Sequence, residues 1–291
     1  MGLRMFLAGG VCLLLAAALT APSSAQDLHR RYPDSSITFD LVSGFEVVVQ
    51  AQIGEQDGLR FILDTGSSYS VIDRRVADRM GLHRRPGDVF NRNLFNFDRN
   101  LAVEWADASE LRIGPIHVAA IPMIVISLAG ISEFTGKADG IIGMDVLSRA
   151  RKISIDYGRR RIFFELDEGR GSQPSAVKAF VVPVVIQGIS MHLLVDTGFQ
   201  YVLLYKDRLR SALPQLRTEG EPRDGVIGHL QVTQVSLPGV QIFGPKAVTP
   251  VLLLDGPGKI DTGDLDGYLG PASLHARRLE LDFAGNTLRW Q

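Results

Sequence analysis

Cysteine is nearly absent from this sequence: Cys12 is the only one among 291 residues. A single cysteine excludes a disulfide framework within the chain and a zinc site built from paired cysteines. Cys12 also lies inside an apolar run near the N-terminus, so a chain that loses this run contains none. An exported protein of this size without disulfides fits a bacterial periplasm better than a eukaryotic secretory route, although it excludes neither.

An excess of charge of either sign is also missing. The sequence has 31 Lys and Arg residues against 32 Asp and Glu residues, for a formal net charge of -1. No basic stripe or charged tail stands out along the chain. We therefore expect neither nucleic acid nor an anionic membrane surface as a partner.

Motifs for metal-dependent and serine-dependent hydrolysis are absent too. The six histidines are scattered, no His-Glu-x-x-His pattern occurs, and no serine lies in a Gly-x-Ser-x-Gly elbow. Asp261, Asp264 and Asp266 resemble a calcium loop only loosely, because their spacing misses the EF-hand pattern. We predict no metal site and no cofactor.

The N-terminus has the pattern of a secretory signal peptide. Arg4 precedes an apolar run over residues 5–19, and small residues follow over 21–25. The run is short for a membrane span, which needs about 20 residues, although an uncleaved anchor is the alternative. We predict a signal peptide over 1–25 with cleavage before Gln26. The protein would be exported, periplasmic or secreted, with no stable membrane anchor.

The composition favours a mainly β protein. Thirty glycines and fourteen prolines separate many short runs rich in Val, Ile and Leu. No long segment keeps a helical period, and the 45% hydrophobic content is sufficient for a packed core.

The most informative feature is an internal repeat. Residues 45–66 end in Leu-Asp-Thr-Gly after two apolar runs, and residues 180–198 repeat the pattern and end in Val-Asp-Thr-Gly. Later in each copy, Ala-Asp-Gly-Ile-Ile-Gly at 138–143 is answered by Leu-Asp-Gly-Tyr-Leu-Gly at 265–270. From one aspartate to the next, the spacing is 75 positions in the first copy and 70 in the second.

Each copy closes with a further strand-like pair. These pairs are Lys152–Tyr157 with Arg161–Glu165, and Arg278–Phe283 with Thr287–Trp290. A polar stretch between the copies has the composition of a linker. We therefore predict an N-terminal extension over 26–43, a first lobe over 44–168, a linker over 169–179 and a second lobe over 180–291.

These motifs resemble the aspartic peptidases of the pepsin and retropepsin type, in which an apolar strand ends in Asp-Thr-Gly and a hydrophobic-hydrophobic-Gly element follows. The resemblance spans nearly the whole chain after the signal peptide, and the lobe lengths are closer to retropepsin-like monomers joined in tandem. It implies a mainly β fold of two retropepsin-like β-barrel lobes, related by a pseudo-twofold axis, with short helices. A third Asp-Thr-Gly, at 261–263, lacks the apolar strand before it and the apolar continuation after it, and is interpreted as accidental.

The resemblance also implies which residues form the site. Two aspartates would be catalytic, Asp64 and Asp196. The residues that support their loops would be Thr65, Gly66, Ser67, Thr197 and Gly198. The two threonines would hydrogen-bond across the lobe interface, although each could be an ordinary turn residue. The glycines would let the loops approach closely where a Cβ atom would clash.

Such a pair of carboxyl groups suits the hydrolysis of an amide. A general base must take a proton from water while an acid stabilises the oxygen that becomes negative. Two carboxyl groups within hydrogen-bonding distance share a proton and titrate as a pair. We predict an aspartic endopeptidase that acts on polypeptides as a monomer, since both aspartates lie in one chain. The alternatives are a catalytically inactive peptide-binding protein of the same fold and an enzyme limited to self-processing.

One residue departs from the family pattern. A Ser, Thr or Ala commonly follows the glycine, and Ser67 fits whereas Phe199 does not. If a hydroxyl at this position donates to the neighbouring carboxylate, Asp196 lacks that donor and gains an apolar neighbour. We predict that Asp196 is the more readily protonated acid and Asp64 the ionised partner. The alternative is that Phe199 only fills a lobe core or a subsite.

Two segments occupy the place of the hairpin flaps that cover the cleft in this family. In the first copy, a loop that contains Phe95 and Phe97 is rich in phenylalanine. In the second, Gly225, Ile227 and Gly228 belong to a glycine-bracketed apolar tip. Flaps at these places predict a substrate in extended conformation, paired to backbone strands. Either segment could instead be a hairpin packed on the core.

Overall fold

The structure of the chain is a computed structural model. The described residues are 35–87, 104–129, 138–167, 179–209, 216–227, 230–240, 248–254 and 265–291. The predicted signal peptide and all but the last residue of the predicted linker lie outside these ranges. Among the described residues, no helix has the length and apolar character needed to cross a membrane.

The first half of the chain is built mainly from strands. They are β1 (Ser36–Thr38), β2 (Asp40–Val42), β3 (Glu46–Ile53), β4 (Gln56–Leu63), β5 (Val71–Asp73), β6 (Arg84–Pro86), β7 (Glu104–Ile113), β8 (Ile116–Ile126), β9 (Gly140–Ile142), β10 (Lys152–Asp156) and β11 (Arg161–Glu165). The helices are α1 (Arg74–Arg79) and α2 (Met144–Leu147). The Asp73 side chain caps α1, because it accepts a hydrogen bond from the Arg75 N–H at 2.9 Å.

The second half has the same character. Its strands are β12 (Val181–Ile186), β13 (Ile189–Val195), β14 (Val202–Tyr205), β15 (Glu219–Ile227), β16 (Leu230–Pro238), β17 (Val248–Leu254), β18 (Gly267–Leu269), β19 (Arg278–Asp282) and β20 (Thr287–Trp290). Its helical segments are α3 (Lys206–Leu209) and a 3-10 helix (Pro271–Leu274). The helices of both halves are short, so the strands carry most of the core.

The two larger sheets have corresponding strand orders. The first runs β2-β3-β4-β9-β5-β8-β7-β6, and the second runs β12-β13-β18-β14-β17-β16-β15. In each, the strand before the Asp-Thr-Gly lies parallel to the short strand of the apolar-Gly element, β4 to β9 and β13 to β18. The first sheet closes through β3 and β7. In the described part of the second, the matching closure is a bridge between Ile186 and Val240.

Each short central strand begins with a glycine that the packing requires. A Cβ atom at Gly140 would overlap the carbonyl oxygen of Val71, and one at Gly267 would overlap that of Leu203. Any larger residue would push the neighbouring strand away, because interiors of this kind have no spare volume. The Asp-Gly dipeptide of the repeat is therefore explained by close strand packing.

A third sheet joins the two halves. Its order is β1-β11-β10-β19-β20, so β10 of the first half pairs with β19 of the second. Ile153 lies opposite Leu281 in this pair, and both side chains are buried in the main core. At the end of the pair, the Arg278 guanidinium contacts the Asp156 carboxylate at 3.1 Å, and both side chains are largely buried. The two halves therefore share one continuous core.

The predicted mainly β fold with short helices is confirmed. Both closing strand pairs are confirmed as well, as β10 with β11 and β19 with β20. The described part of the predicted N-terminal extension belongs to the fold, since β1 pairs with β11 and β2 pairs with β3. The boundaries of the two lobes stay a prediction.

Candidate active site

The two Asp-Thr-Gly loops start at corresponding places in the two larger sheets. Asp64 directly follows β4, and Asp196 directly follows β13. The backbone N–H of Asp64 donates to the carbonyl of Ile142 at 3.0 Å, and that of Asp196 donates to the carbonyl of Leu269 at 3.1 Å. Each aspartate is therefore held by the short central strand beside it.

The fold brings these two aspartates together. Their side chains lie within hydrogen-bonding reach of each other, although the residues lie 132 positions apart in the chain. A Cβ atom at Gly66 would overlap the Asp196 carboxyl group, and one at Gly198 would lie 2.9 Å from Cγ of Asp64. Both glycines are thus needed for the close approach of the loops. Both aspartates remain partly exposed, so water can reach the pair.

The two threonines link the loops through four buried hydrogen bonds. The Thr65 hydroxyl donates to the Val195 carbonyl at 2.7 Å and accepts from the Thr197 N–H at 3.1 Å. The Thr197 hydroxyl donates to the Leu63 carbonyl at 2.7 Å and accepts from the Thr65 N–H at 3.0 Å. Each threonine therefore bonds to the other loop, which fixes the position of the neighbouring carboxyl groups.

The part of the chain that contains Asp64 matches a known family. Residues 49–146 match a family model described as aspartyl protease. This segment is therefore similar to the aspartyl proteases. A crystal structure of a retropepsin-like aspartic protease from Rickettsia conorii is similar to the chain, with 14% sequence identity and a TM-score of 0.33. The similarity covers 44% of this chain and 89% of that chain.

None of the curated proteins matches the chain. The family expected from the motifs is nevertheless confirmed, because the aspartyl protease match spans β4, the first Asp-Thr-Gly loop and β9. Protease activity of the aspartic type is supported at this general level.

The carboxyl groups of Asp64 and Asp196, here called the dyad, differ in their surroundings. Oδ1 of Asp64 accepts hydrogen bonds from the N–H groups of Gly66 at 2.7 Å and Ser67 at 3.2 Å. Oδ1 of Asp196 accepts one from the Gly198 N–H at 2.8 Å. Burial raises the pKa of both groups, and the charge of Asp64 raises the pKa of Asp196 further. These directions put the shared proton on Asp196, because the extra amide stabilises the ionised form of Asp64.

The source of this difference is not the one expected from the sequence. The Ser67 hydroxyl donates to the carbonyl of Tyr69 at 2.7 Å, so it does not donate to the Asp64 carboxylate. The backbone N–H of Ser67 donates to the Asp64 carboxylate instead. In the second loop, the Phe199 N–H donates to the backbone carbonyl of Asp196 at 3.2 Å. The expectation of a hydroxyl donor was wrong, and a backbone amide takes its place.

Phe199 has a packing role on the second sheet. Its half-buried side chain lies against a cluster that contains Leu203, Val232 and Leu252. Its ring also meets that of Tyr201 edge to face, with centroids 6.2 Å apart. Phe199 therefore keeps an apolar group beside the Asp196 loop.

We predict that Phe199→Ser lowers the pH at which the shared proton is lost, by less than about one pH unit. A serine here adds no hydroxyl bond to the carboxyl group, but loss of the ring lets water solvate the ionised form of Asp196. The pH–rate profile measures the shift, and Phe199→Leu, which keeps an apolar side chain, serves as the matched control. Superposition of the Phe199→Ser profile on that of the parent contradicts the prediction.

The second flap candidate is a β-hairpin at a sheet edge. β15 and β16 pair antiparallel as far as Ile227 and Leu230, and Gly225 lies opposite Val232. An exposed edge strand can pair with an extended peptide. Substrate contact by this hairpin stays a prediction. Three of the flap candidates lie outside the described residues, namely Phe95, Phe97 and Gly228.

The repeated aspartates of the Asp-Gly elements have a structural role. Oδ2 of Asp139 accepts from the Arg60 N–H at 3.0 Å, and Oδ2 of Asp266 accepts from the His192 N–H at 2.8 Å. Within the ranges that the structure describes, no group of three or more His, Cys, Asp or Glu residues could hold a metal ion. Asp261 and Asp264 lie outside those ranges.

A tyrosine beside the dyad was not found from the motifs. Tyr268 lies in β18, and its ring meets that of Tyr205 edge to face at 6.1 Å. Burial raises the pKa of Tyr268, and its hydrogen bond with Tyr205 and the charges of Asp196 and Asp64 raise it further. Tyr268 is thus a neutral phenol near the site. Comparison of the two copies could have revealed it, because the first copy has Ile141 at this place.

A buried glutamate next to the first loop was also missed. Glu46 lies at the start of β3 and is 4% exposed. A single glutamate in an apolar strand forms no sequence motif that would mark it as functional. Its proximity to Asp64 becomes visible only from the pairing of β3 with β4.

Proposed function

We propose that this protein is an aspartic endopeptidase that hydrolyses peptide bonds with one water molecule activated between Asp64 and Asp196. The observation that carries the proposal is the close approach of these two carboxyl groups, which come from separate loops. The aspartyl protease match includes Asp64 and supports the same chemistry.

In the proposed first step, ionised Asp64 takes a proton from the water while the water oxygen attacks the carbonyl carbon. Asp196 donates its proton to the carbonyl oxygen, so this oxygen does not keep a full negative charge. In the second step, Asp64 gives its proton to the amide nitrogen as the C–N bond breaks. A hydroxyl of the tetrahedral intermediate returns a proton to Asp196, which restores the starting state.

The proposed organisation follows from the same geometry. We propose two lobes, over 44–168 and 180–291, and the corresponding strand orders of the two larger sheets support them. The site would be complete in one chain, so a monomer would be active. An exported protein acting on extended polypeptides remains our proposal for location and substrate.

Digestion of a mixed peptide library tests the proposed function. We expect internal cleavage between about pH 3 and pH 7, since a pair with raised pKa values keeps one proton into the neutral range. A peptide analogue with a hydroxyl group in place of the scissile carbonyl should block it, because it mimics the tetrahedral intermediate. Mass spectrometry of the products gives the cleaved bonds.

Two other outcomes would replace the proposal. Peptides that bind without being cut at any pH would indicate the inactive peptide-binding protein. Cleavage restricted to the protein's own N-terminal region would indicate self-processing.

A further inference from the structure

A third carboxyl group lies next to the dyad. β3 and β4 pair antiparallel with Val48 opposite Ile62. Extended by two residues, to the start of β3 and one residue past the end of β4, this register places Glu46 opposite Asp64, and the charge of Asp64 acts on Glu46. Opposed positions share one face of the sheet, with Cβ atoms about 5 Å apart. Glu46 is therefore a direct neighbour of the aspartate that acts as the base in the proposed mechanism.

Glu46 is held in a place that disfavours its charge. It is 4% exposed, and its Oε2 atom has no hydrogen-bond partner among the described residues. Removing a carboxylate from water without such partners is unfavourable. Burial, followed by the charge of Asp64, raises the pKa of Glu46 to about 7. Glu46 thus changes from neutral to negative close to neutral pH.

The other charges around Glu46 are weaker neighbours. The charged side chains on the flanking strands β2 and β4 and on the two loops are Asp40, Asp57, Arg60, Asp64 and Asp196. Asp40 is exposed, so water screens it. Arg60 lies four residues before Asp64 on β4, about 13 Å along the strand, and Asp57 lies further still. Among the residues that the structure describes, Asp64 is therefore the main charge that acts on Glu46, and Glu46 acts on Asp64 in return.

The second loop has no such neighbour at the matching position. β12 and β13 pair with Val181 opposite Leu194, so the same register places Ala179 opposite Asp196. Alanine carries no charge. Of these two matching positions, the one beside Asp64 carries a carboxyl group and the one beside Asp196 does not.

We propose that Glu46 is a positioning residue that sets the proton content of the dyad: once ionised, it keeps one proton on the Asp64–Asp196 pair at neutral pH. The pair works only with a single proton, because it must supply both a base and an acid. A neighbouring negative charge makes loss of that proton less favourable. In acid Glu46 is neutral, so the uptake of a second proton by the pair is unchanged.

The kinetic part of this inference rests on the proposed function, whereas the effect on the proton content does not. Glu46→Gln removes the charge and keeps the shape of the side chain. Glu46→Ala introduces the residue type that the second copy has at the matching position, Ala179. We expect both variants to lose activity at a lower pH than the parent, by roughly one pH unit on the alkaline side. The acidic side of the pH–rate profile should stay unchanged.

Glu55→Gln is the matched control. It removes the same charge from the same hairpin, but Glu55 is exposed and lies about 30 Å along the strand from Glu46. Its profile should superimpose on that of the parent. A uniform loss of rate in the Glu46 variants, with both sides of the profile unmoved, would show a merely structural role and overturn the inference.

A second readout does not need peptidase activity. Carbon-13 NMR of the aspartate carboxyl groups follows the proton of the dyad directly, with Asp64→Asn and Asp196→Asn used for assignment. We expect the dyad to lose its proton at lower pH in Glu46→Gln and Glu46→Ala than in the parent. If this shift occurs in a protein that cleaves nothing, the role of Glu46 stands and the proposed function fails. If the parent cleaves peptides and the titrations of all variants coincide, the role of Glu46 is refuted and the proposed function stands.

Discussion

Asp64→Asn and Asp196→Asn should each reduce the rate of peptide cleavage by about a thousandfold or more, because removal of a general acid or base has effects of this size. Asparagine keeps the shape of aspartate and can still hydrogen-bond across the loops. It cannot take a proton from water or hold the shared proton. Initial rates on a peptide cut by the parent measure the loss.

The asparagine variants should fold at least as well as the parent at neutral pH. Burial raises the folded-state pKa of both aspartates above the unfolded value, so the native state loses stability as pH rises through these values. Asparagine does not titrate, and thus each variant should gain in Tm relative to the parent as pH rises. Asp107→Asn, at an exposed carboxylate, is the control and should leave the rate unchanged. A variant of either dyad aspartate that retains more than a tenth of the parent rate would rule out the proposed mechanism.

Thr65→Val and Thr197→Val should each lower the free energy of unfolding by roughly 2–5 kcal/mol, since buried groups left without partners cost about 1–3 kcal/mol each. In Thr197→Val, the Leu63 carbonyl loses its donor and the Thr65 N–H loses its acceptor. Thr65→Val has the matching effect on Val195 and Thr197. Urea unfolding at one fixed pH measures both.

Serine is the matched control at these positions. Thr65→Ser and Thr197→Ser keep the hydroxyl group and should recover most of the loss. The two valine changes act on one network, so the double variant should lose less than the sum of the single variants. Valine variants within about 0.5 kcal/mol of the parent would mean that water replaces the lost bonds, contrary to the prediction.

The sequence predicts the parts of this site that repeat. The Asp-Thr-Gly loops, the Asp-Gly elements and the closing strand pairs each occur twice, and an accidental repeat of three spaced elements is improbable. The joining of β10 to β19 could not be predicted, because it pairs the two copies with each other rather than repeating within each. Ser67 shows a second limit of prediction from sequence. Its residue type allows the hydroxyl to donate to Asp64, but the loop geometry makes the backbone amide the donor.

Residues that occur in one copy only were the hardest to predict. Glu46 and Tyr268 are not repeated in the other copy, and their significance comes from the residues that the strand register places beside them. An alignment of the two copies that follows the strand register would have identified both, because Ala179 stands at the place of Glu46 and Ile141 at the place of Tyr268.

The sheet that joins the halves has a consequence for the order in which the molecule matures. Its contacts between the halves, such as Arg278 with Asp156, connect positions 122 apart, and the threonine contacts connect positions 132 apart. Contacts of such long range form late in folding, because a large loop must first be closed. A nascent chain that has emerged only as far as β18 already contains both Asp-Thr-Gly loops, but it still lacks β19, the strand that joins the second half to β10 of the first.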